Sequence, residues 1–269
     1  MAENSKPRLA VLIDADNASP RIVDGLFEEI AAIGEASVRR IYGDFSSPRS
    51  KGWADELSRF AIIPQQQFAY TQGKNASDIT LVIDAMDLLH SGRFDGFCLV
   101  SSDSDFTRLA ARIREQGVDV FGFGEQKTPE SFRQACRRFI YTENLRSDPV
   151  QAEAETTPVE PKAAEDSTAK RPVKEAVPLI KRAFEDAEDD SGWAALSPVG
   201  SLLNSLYPDF DPRTYGEKKL SDLVRKTGVF EIKANGKQMS IRLKAKRTNA
   251  SSGARKTPSA IVRDKVAKG

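Results

Sequence analysis

Phe97-Cys98-Leu99-Val100-Ser101-Ser102-Asp103-Ser104-Asp105-Phe106 is the stretch whose reading decides the architecture. Four apolar residues lead into it. Phe106, Leu109, Ala110 and Ile113 lead out of it at helical spacing, so a buried strand is predicted to turn into a helix. Asp103 and Asp105 fall on that turn with three serine hydroxyls, where the first amides of a helix point outward without partners. One aspartate there is an ordinary cap. Two aspartates separated by one small residue also suit a hard cation or an anionic ligand.

The same alternation runs through the first half of the chain. Leu9 to Ile13 is a buried-strand run that ends on Asp14. Ser19 and Pro20 then supply a cap and a first-turn proline, and Ile22, Val23, Leu26, Ile30 and Ile33 form an apolar stripe that Gly34 stops. Strands are expected over Val38–Tyr42, from Ile62 to about Gln67, and over Val118–Phe123. A helix is expected from Trp53 to Phe60. Another, entered through the loop Ala69–Ser77, carries the stripe Ile79, Val82, Ile83, Met86 and Leu89. A last helix is expected from about Pro129 to Arg138. Strands alternating with helices imply right-handed crossovers and a doubly wound parallel sheet, an α/β fold with strand order 3-2-1-4-5. Sites in such sheets form beyond the carboxyl ends of the strands, where strand order reverses. That rule brings Asp14 next to Asp103 and Asp105, and Asp78 opens a helix on the same rim. Four carboxylates so placed repel one another unless a cation neutralises them. An all-oxygen set of this kind suits Mg²⁺ or Mn²⁺. The competing reading is four unrelated caps and turn acids.

Composition narrows the chemistry. His90 is the only histidine, which removes histidine-rich zinc sites and Ser-His-Asp catalysis. Cys98 and Cys136 have no metal-ligand spacing and suit a reducing compartment, so the expected location is the cytoplasm. No apolar run approaches membrane-spanning length, and the first residues lack a secretory pattern. Charge is uneven: residues 1–146 hold 18 Lys/Arg against 21 Asp/Glu, whereas residues 244–269 hold 8 against 1.

Four stretches in order carry a family resemblance: Leu12-Ile13-Asp14-Ala15-Asp16-Asn17, Gly73-Lys74-Asn75-Ala76-Ser77-Asp78-Ile79, Val100 to Phe106, and Gly117-Val118-Asp119-Val120-Phe121-Gly122-Phe123-Gly124. Together they resemble the successive motifs of the NYN domain, one of the PIN-like nucleases, over roughly residues 8–145. The resemblance implies a PIN-like fold and a metal-dependent ribonuclease whose acids correspond to Asp14, Asp78, Asp103 and Asp105. Asn17 matches the family's asparagine after the first acid, with a role in orienting that acid or a phosphate. Ser102 departs from the glycine of many members. Ser101 and Ser104 on the turn, and Lys74 in the loop before Asp78, are further candidates for holding an acid or a phosphate. Asp16 reads equally as a supporting ligand or a solvated turn acid. Asp84, about 120° around the helix from Asp78, reads as structural. Arg108 and Arg112 are candidates to track an RNA backbone, and Phe45 and Tyr70 to stack bases. His90 reads as a helix-end residue.

Residues 147–172 are rich in Pro, Ala, Glu and Thr, a composition that cannot order itself. They are expected to be a linker that lets the flanking units move independently. From Val173 the pattern returns to order. Val177, Leu179, Ile180 and Phe184 mark one helix; Val199, Leu202, Leu203 and Leu206 a second; Leu220, Leu223 and Val224 a third, ended by Gly228. Asn235-Gly236 joins two strands as a hairpin. The whole reads as a winged helix-turn-helix over 173–243. Its stretch Asp211 to Leu223 resembles the LOTUS (OST-HTH) domain, which implies binding to RNA or to a protein partner. Lys218, Lys219, Arg225, Lys226 and Lys237 are its candidate basic face. The basic tail, 244–269, suits salt-sensitive attachment to polyphosphate.

Three functions compete on the sequence. One is a ribonuclease dependent on Mg²⁺ or Mn²⁺, recruited to RNA by its second domain and tail. Another is a non-cleaving RNA-binding adaptor. In the third, Asp14-Ala15-Asp16 resembles the nucleophile motif of haloacid-dehalogenase phosphatases. Ala18 stands where that motif carries Thr or Val, and Asp78 would have no role in it.

Overall fold

A computed structural model describes residues 6–46, 48–67, 76–145, 170–236 and 238–244. Lys74, Tyr70, Lys237, residues 146–169 and residues 245–269 lie outside the described residues.

The first unit runs β1 (Arg8–Asp14), α1 (Val23–Ile33), β2 (Glu35–Gly43), α2 (Ala54–Arg59), β3 (Ile63–Gln66), α3 (Ala76–His90), β4 (Gly96–Val100), α4 (Thr107–Glu115), β5 (Asp119–Gly124), α5 (Glu130–Ala135) and β6 (Arg138–Tyr141). All strand pairs are parallel, in the order β3-β2-β1-β4-β5-β6. Alternation along β1 explains the two layers of helices. Leu9, Val11 and Ile13 point to one core with Leu26 and Ile30 of α1 and with Trp53. Ala10 and Leu12 point to the other, with Leu81 and Ala85 of α3, Leu109 and Ile113 of α4, and Phe132 of α5. The central strands β1 and β4 are therefore covered on both faces, as a parallel sheet requires.

Two expectations need correction here. The last helix stops at Ala135 rather than reaching Arg138, because Cys136 is extended and a sixth strand follows. Phe139 and Tyr141 join one core and Ile140 the other, a two-residue period that four residues barely display. On α3 the stripe is rotated. Ile79 and Ile83 are 61% and 56% exposed, while Leu81, Ala85, Leu88 and Leu89 face inward. The rotation turns Asp84 toward the sheet, where its Oδ2 accepts from Arg40 Nη1 and from the Tyr42 hydroxyl, both at 2.8 Å. Burial, then the Asp84 contact, raises the proton affinity of Tyr42, so this hydroxyl stays a donor. His90 closes the helix with Nδ1 at 2.7 Å from the Met86 carbonyl.

The second unit contains α6 (Val173–Glu185), β7 (Ala194–Ala195), α7 (Leu196–Leu206), α8 (Leu220–Thr227), β8 (Phe230–Asn235) and β9 (Gln238–Leu243). Its sheet order is β7-β9-β8, all antiparallel, so β7 adds a strand to the expected hairpin. Ile180, Phe184, Val199, Leu203, Leu223, Val224, Phe230 and Ile241 share one core. Leu206, expected inside, is 39% exposed because it is the last residue of α7, beyond that core. Gly228 ends α8 at φ 67°, a left-handed cap in which glycine carries no Cβ penalty.

The two units, which the linker is expected to let move independently, are in contact. The winged-helix unit lies against the β6 edge of the first. The Phe139 amide donates to the Pro208 carbonyl at 2.8 Å, and Asp209 pairs with Arg133. Among the described residues no helix is long and apolar enough to cross a membrane.

Candidate active site

The carboxyl rim of the sheet is built around β1 and β4, whose ends lie side by side with Ile13 opposite Val100. Asp14, the last residue of β1, is buried and held from three directions. Its Oδ2 accepts from Ser101 Oγ at 2.7 Å and from Asn17 Nδ2 at 2.8 Å, and its Oδ1 accepts the Asp16 amide at 3.0 Å. Burial pushes the Asp14 carboxyl above its usual range, and the Ser101 and Asn17 donors act against that shift.

Ser101 couples this acid to the second. Its Oγ, while donating to Asp14, accepts the Asp103 amide at 3.1 Å. Asp103 caps the short turn that follows by accepting the Asp105 amide on Oδ1 at 2.9 Å. Asp78, in the first turn of α3, stands in the field of these groups. Its carboxyl is pushed up to about 6, first by burial and then by the charges of Asp14, Asp103, Asp16 and Asp105. Asp16 therefore contributes to the same negative rim. Ser104 is exposed, and its carbonyl accepts the Thr107 hydroxyl at 2.5 Å.

In donor type the rim suits a hard divalent cation, since it offers carboxylate oxygens without sulfur or imidazole. The raised Asp78 carboxyl is the electrostatic counterpart, because negative charge gathers here at a cost that a cation would relieve. As placed, no group of three or more His, Cys, Asp or Glu among the described residues is close enough to hold a metal ion.

A family model for the NYN domain matches residues 8–145. The chain belongs to the NYN domain family. NYN domains fall within the PIN-like nuclease superfamily, which places a hydrolase acting on RNA as the coarse functional class. A second model, the OST-HTH/LOTUS domain, matches residues 168–241. Comparison with curated proteins gives no match. Among solved structures, the chain is similar to a protein of unknown function, VPA0982, from Vibrio parahaemolyticus RIMD 2210633. The identity is 19%, over 52% of this chain and 96% of that one, with a TM-score of 0.43. It is also similar to an uncharacterized protein from gene locus NE0665 of Nitrosomonas europaea, at 33% identity over 36% of this chain and 96% of that one, with a TM-score of 0.25.

The NYN rim has supports that the sequence did not reveal. Ser102, where many members carry glycine, accepts the Glu125 amide on its hydroxyl at 2.9 Å and so ties the loop after β5 to the acid turn. Glu143, just after β6, accepts the Gln126 amide at 2.9 Å from the other side. Gly124 lets the two segments meet: a Cβ there would lie 2.6 Å from the Ser101 carbonyl oxygen and 2.7 Å from Thr128 Oγ1. The glycine was visible in the sequence, but its function depends on a contact that only folding creates. Gly124→Ala is expected to force the Ser101 turn outward, costing about 1–3 kcal/mol, and to lower RNA cleavage more than RNA binding. Thermal melting and a cleavage assay on one preparation check both.

The remaining candidates lie farther out. Arg108 and Arg112 are exposed on the outer face of α4, and Arg112 pairs with Glu115 at 3.3 Å. Phe45 packs partly buried against the α1-side core, which fits a packing role. In the LOTUS domain Lys218 and Lys219 are exposed ahead of α8. Lys226 and Arg225 are paired with Glu217 and Asp222, which reduces the charge they offer a phosphate.

Proposed function

We propose that this chain is a metal-dependent endoribonuclease that hydrolyses RNA phosphodiesters at the rim formed by Asp14, Asp78, Asp103 and Asp105. The observation that carries the reading is the Ser101 hydroxyl, 2.7 Å from Asp14 Oδ2 and 3.1 Å from the Asp103 amide, which joins acids 89 residues apart in the chain. Isolated caps require no such bridge. The four carboxylates would hold Mg²⁺ or Mn²⁺, which when bound supplies an activated water and offsets charge on the leaving oxygen.

The chain's own contribution is order. Three donors fix the Asp14 carboxylate, so it loses no further freedom on meeting a ligand. Asn17 and Ser101 favour its ionised form, opposing the larger effect of burial, and Asp103 is fixed by its own turn. RNA is the substrate class favoured by an NYN domain joined to a LOTUS domain. The LOTUS domain and the basic tail would bring RNA, or a protein that carries it, to the rim. Two free, buried cysteines accord with a cytoplasmic setting.

The test is incubation of the full chain with mixed-sequence single-stranded RNA, in Mn²⁺, in Mg²⁺ and in EDTA. Internal cuts with either cation and none in EDTA are expected. RNA retention without products under all three conditions would replace the nuclease by the non-cleaving adaptor.

A further inference from the structure

A parallel sheet's last strand normally leaves a row of amides and carbonyls open. Here the LOTUS domain meets the β6 edge at one backbone bond. Besides the Phe139–Pro208 backbone bond, Asp209 accepts from the Tyr141 hydroxyl and pairs with Arg133; the two charged side chains are only 15% and 19% exposed. Arg171 lies 5.3 Å from the Tyr141 ring centre and donates to its hydroxyl at 3.3 Å, while its own amide donates to the Thr214 carbonyl at 2.9 Å. Arg213 bridges Glu29 of α1 and Asp211, and Asn144 Nδ2 donates to Thr214 Oγ1 at 3.0 Å.

We propose that this contact is a lock: it holds the LOTUS domain in one orientation beside the acid rim, so that RNA anchored on the LOTUS domain is cut at a set distance from its anchor. The length-setting part rests on the nuclease reading above; the lock does not.

Three features argue for a lock rather than a resting contact. First, the bonds tie several separate segments of the NYN domain to the LOTUS domain, and they include one backbone bond from the edge strand β6. Second, the charged pair is shielded from water. Asp209 meets both Arg133 and the Tyr141 hydroxyl there. Charges this far from water are screened little by salt. Third, the apolar clusters among the described residues each stay within one domain, so the polar bonds set the geometry of the contact. A cavity of about 520 Å³, lined by Leu9, Ile33, Phe121, Arg138, Ser201 and Asn204, remains between the domains at the amino edge of the sheet. The lock is also close to the chemistry. Two residues after Tyr141, Glu143 holds the Gln126 amide, and the preceding Glu125 amide is bonded to Ser102 beside Asp103.

The test is ¹⁵N relaxation on the full chain. Amides of residues 8–145 and 173–243 are expected to report one rotational correlation time. Asp209→Ala combined with Arg213→Ala is expected to give two shorter ones, with both folds retained. Arg133→Asp alone is also expected to loosen the contact, and adding Asp209→Arg to it to restore joint tumbling, a rescue that a misfolded variant would not show. Two correlation times in the wild-type chain would overturn the lock. On end-labelled RNA, wild type should give a narrow range of product lengths and the released double variant a range at least twofold wider. A double variant that tumbles as two bodies yet gives the product lengths of wild type would overturn the length-setting role. Absence of any cleavage would bring down that role and the nuclease reading together, and leave the lock to the tumbling result alone.

Discussion

Asp103→Asn should reduce RNA cleavage by at least about a hundredfold, about 2.7 kcal/mol in barrier, while RNA binding changes little. The substitution separates the two functions of this side chain. As a cap, Asp103 accepts the Asp105 amide through one oxygen. Asparagine offers the same carbonyl oxygen and ranks equally as a cap, so the turn and the overall stability should hold within about 0.5 kcal/mol. As part of the acid rim, Asp103 contributes negative charge that an amide lacks. Binding should survive because the exposed lysines of the LOTUS domain and the basic tail are untouched. Cleavage assays and filter binding on the same variant check this. Wild-type cleavage by the variant would remove Asp103 from the site.

Asp78→Asn should lose cleavage to a similar degree yet make the cation-free protein more stable. The carboxyl is pushed up from 3.8 to about 6 by burial and by Asp14, Asp103, Asp16 and Asp105. A carboxyl with a raised folded value binds more protons folded than unfolded, so in this window it makes stability fall as pH rises. Its penalty is absent below about pH 4 and fully present above about 6. Taken at face value the shift is worth about 3 kcal/mol. Asp78 is only partly buried, and screening by water and salt reduces the expected gain at pH 7 to about 1 kcal/mol. That gain corresponds to a rise of about 2–4 °C in Tm. The variant's advantage should disappear by pH 4, and Mn²⁺ should stabilise wild type but not the variant. Thermal melts across pH 4–8, with EDTA or Mn²⁺, test all three.

These two acids also show what was legible before the fold was known. Asp14 and Asp103 follow apolar runs that can only be buried strands, and a parallel sheet with a switch point brings such strand ends together. That inference uses local pattern and topology alone. Asp78 was legible for the same reason, since helices in this fold start on the rim where strands end. The orientation of its helix was not. Apolar residues occupy most of the surface of α3, so spacing favours no face, and the Arg40–Tyr42–Asp84 contact settles the rotation. The sixth strand is not legible in the sequence because four residues display too little of a two-residue period. The domain lock was invisible for a different reason. Arg133 and Asp209 are 76 residues apart and have no local signature. The linker's composition describes only the linker, and says nothing about what the units on either side do when they meet. Ser102 and Glu143 belong to the same class, because their value comes from backbone amides that folding brings to them.

The most direct measurement is Mn²⁺ uptake by the intact chain, read from loss of the free-ion electron paramagnetic resonance signal, beside Asp14→Asn in the same buffer. Asp14 is buried, shares Ser101 with the Asp103 turn and sits at the strand end that the whole arrangement faces. Wild type should take up Mn²⁺ in a simple saturating titration, and the variant should take up at least tenfold less at the same free concentration. Equal uptake by the two proteins, or none by wild type, would contradict a cation held by these carboxylates.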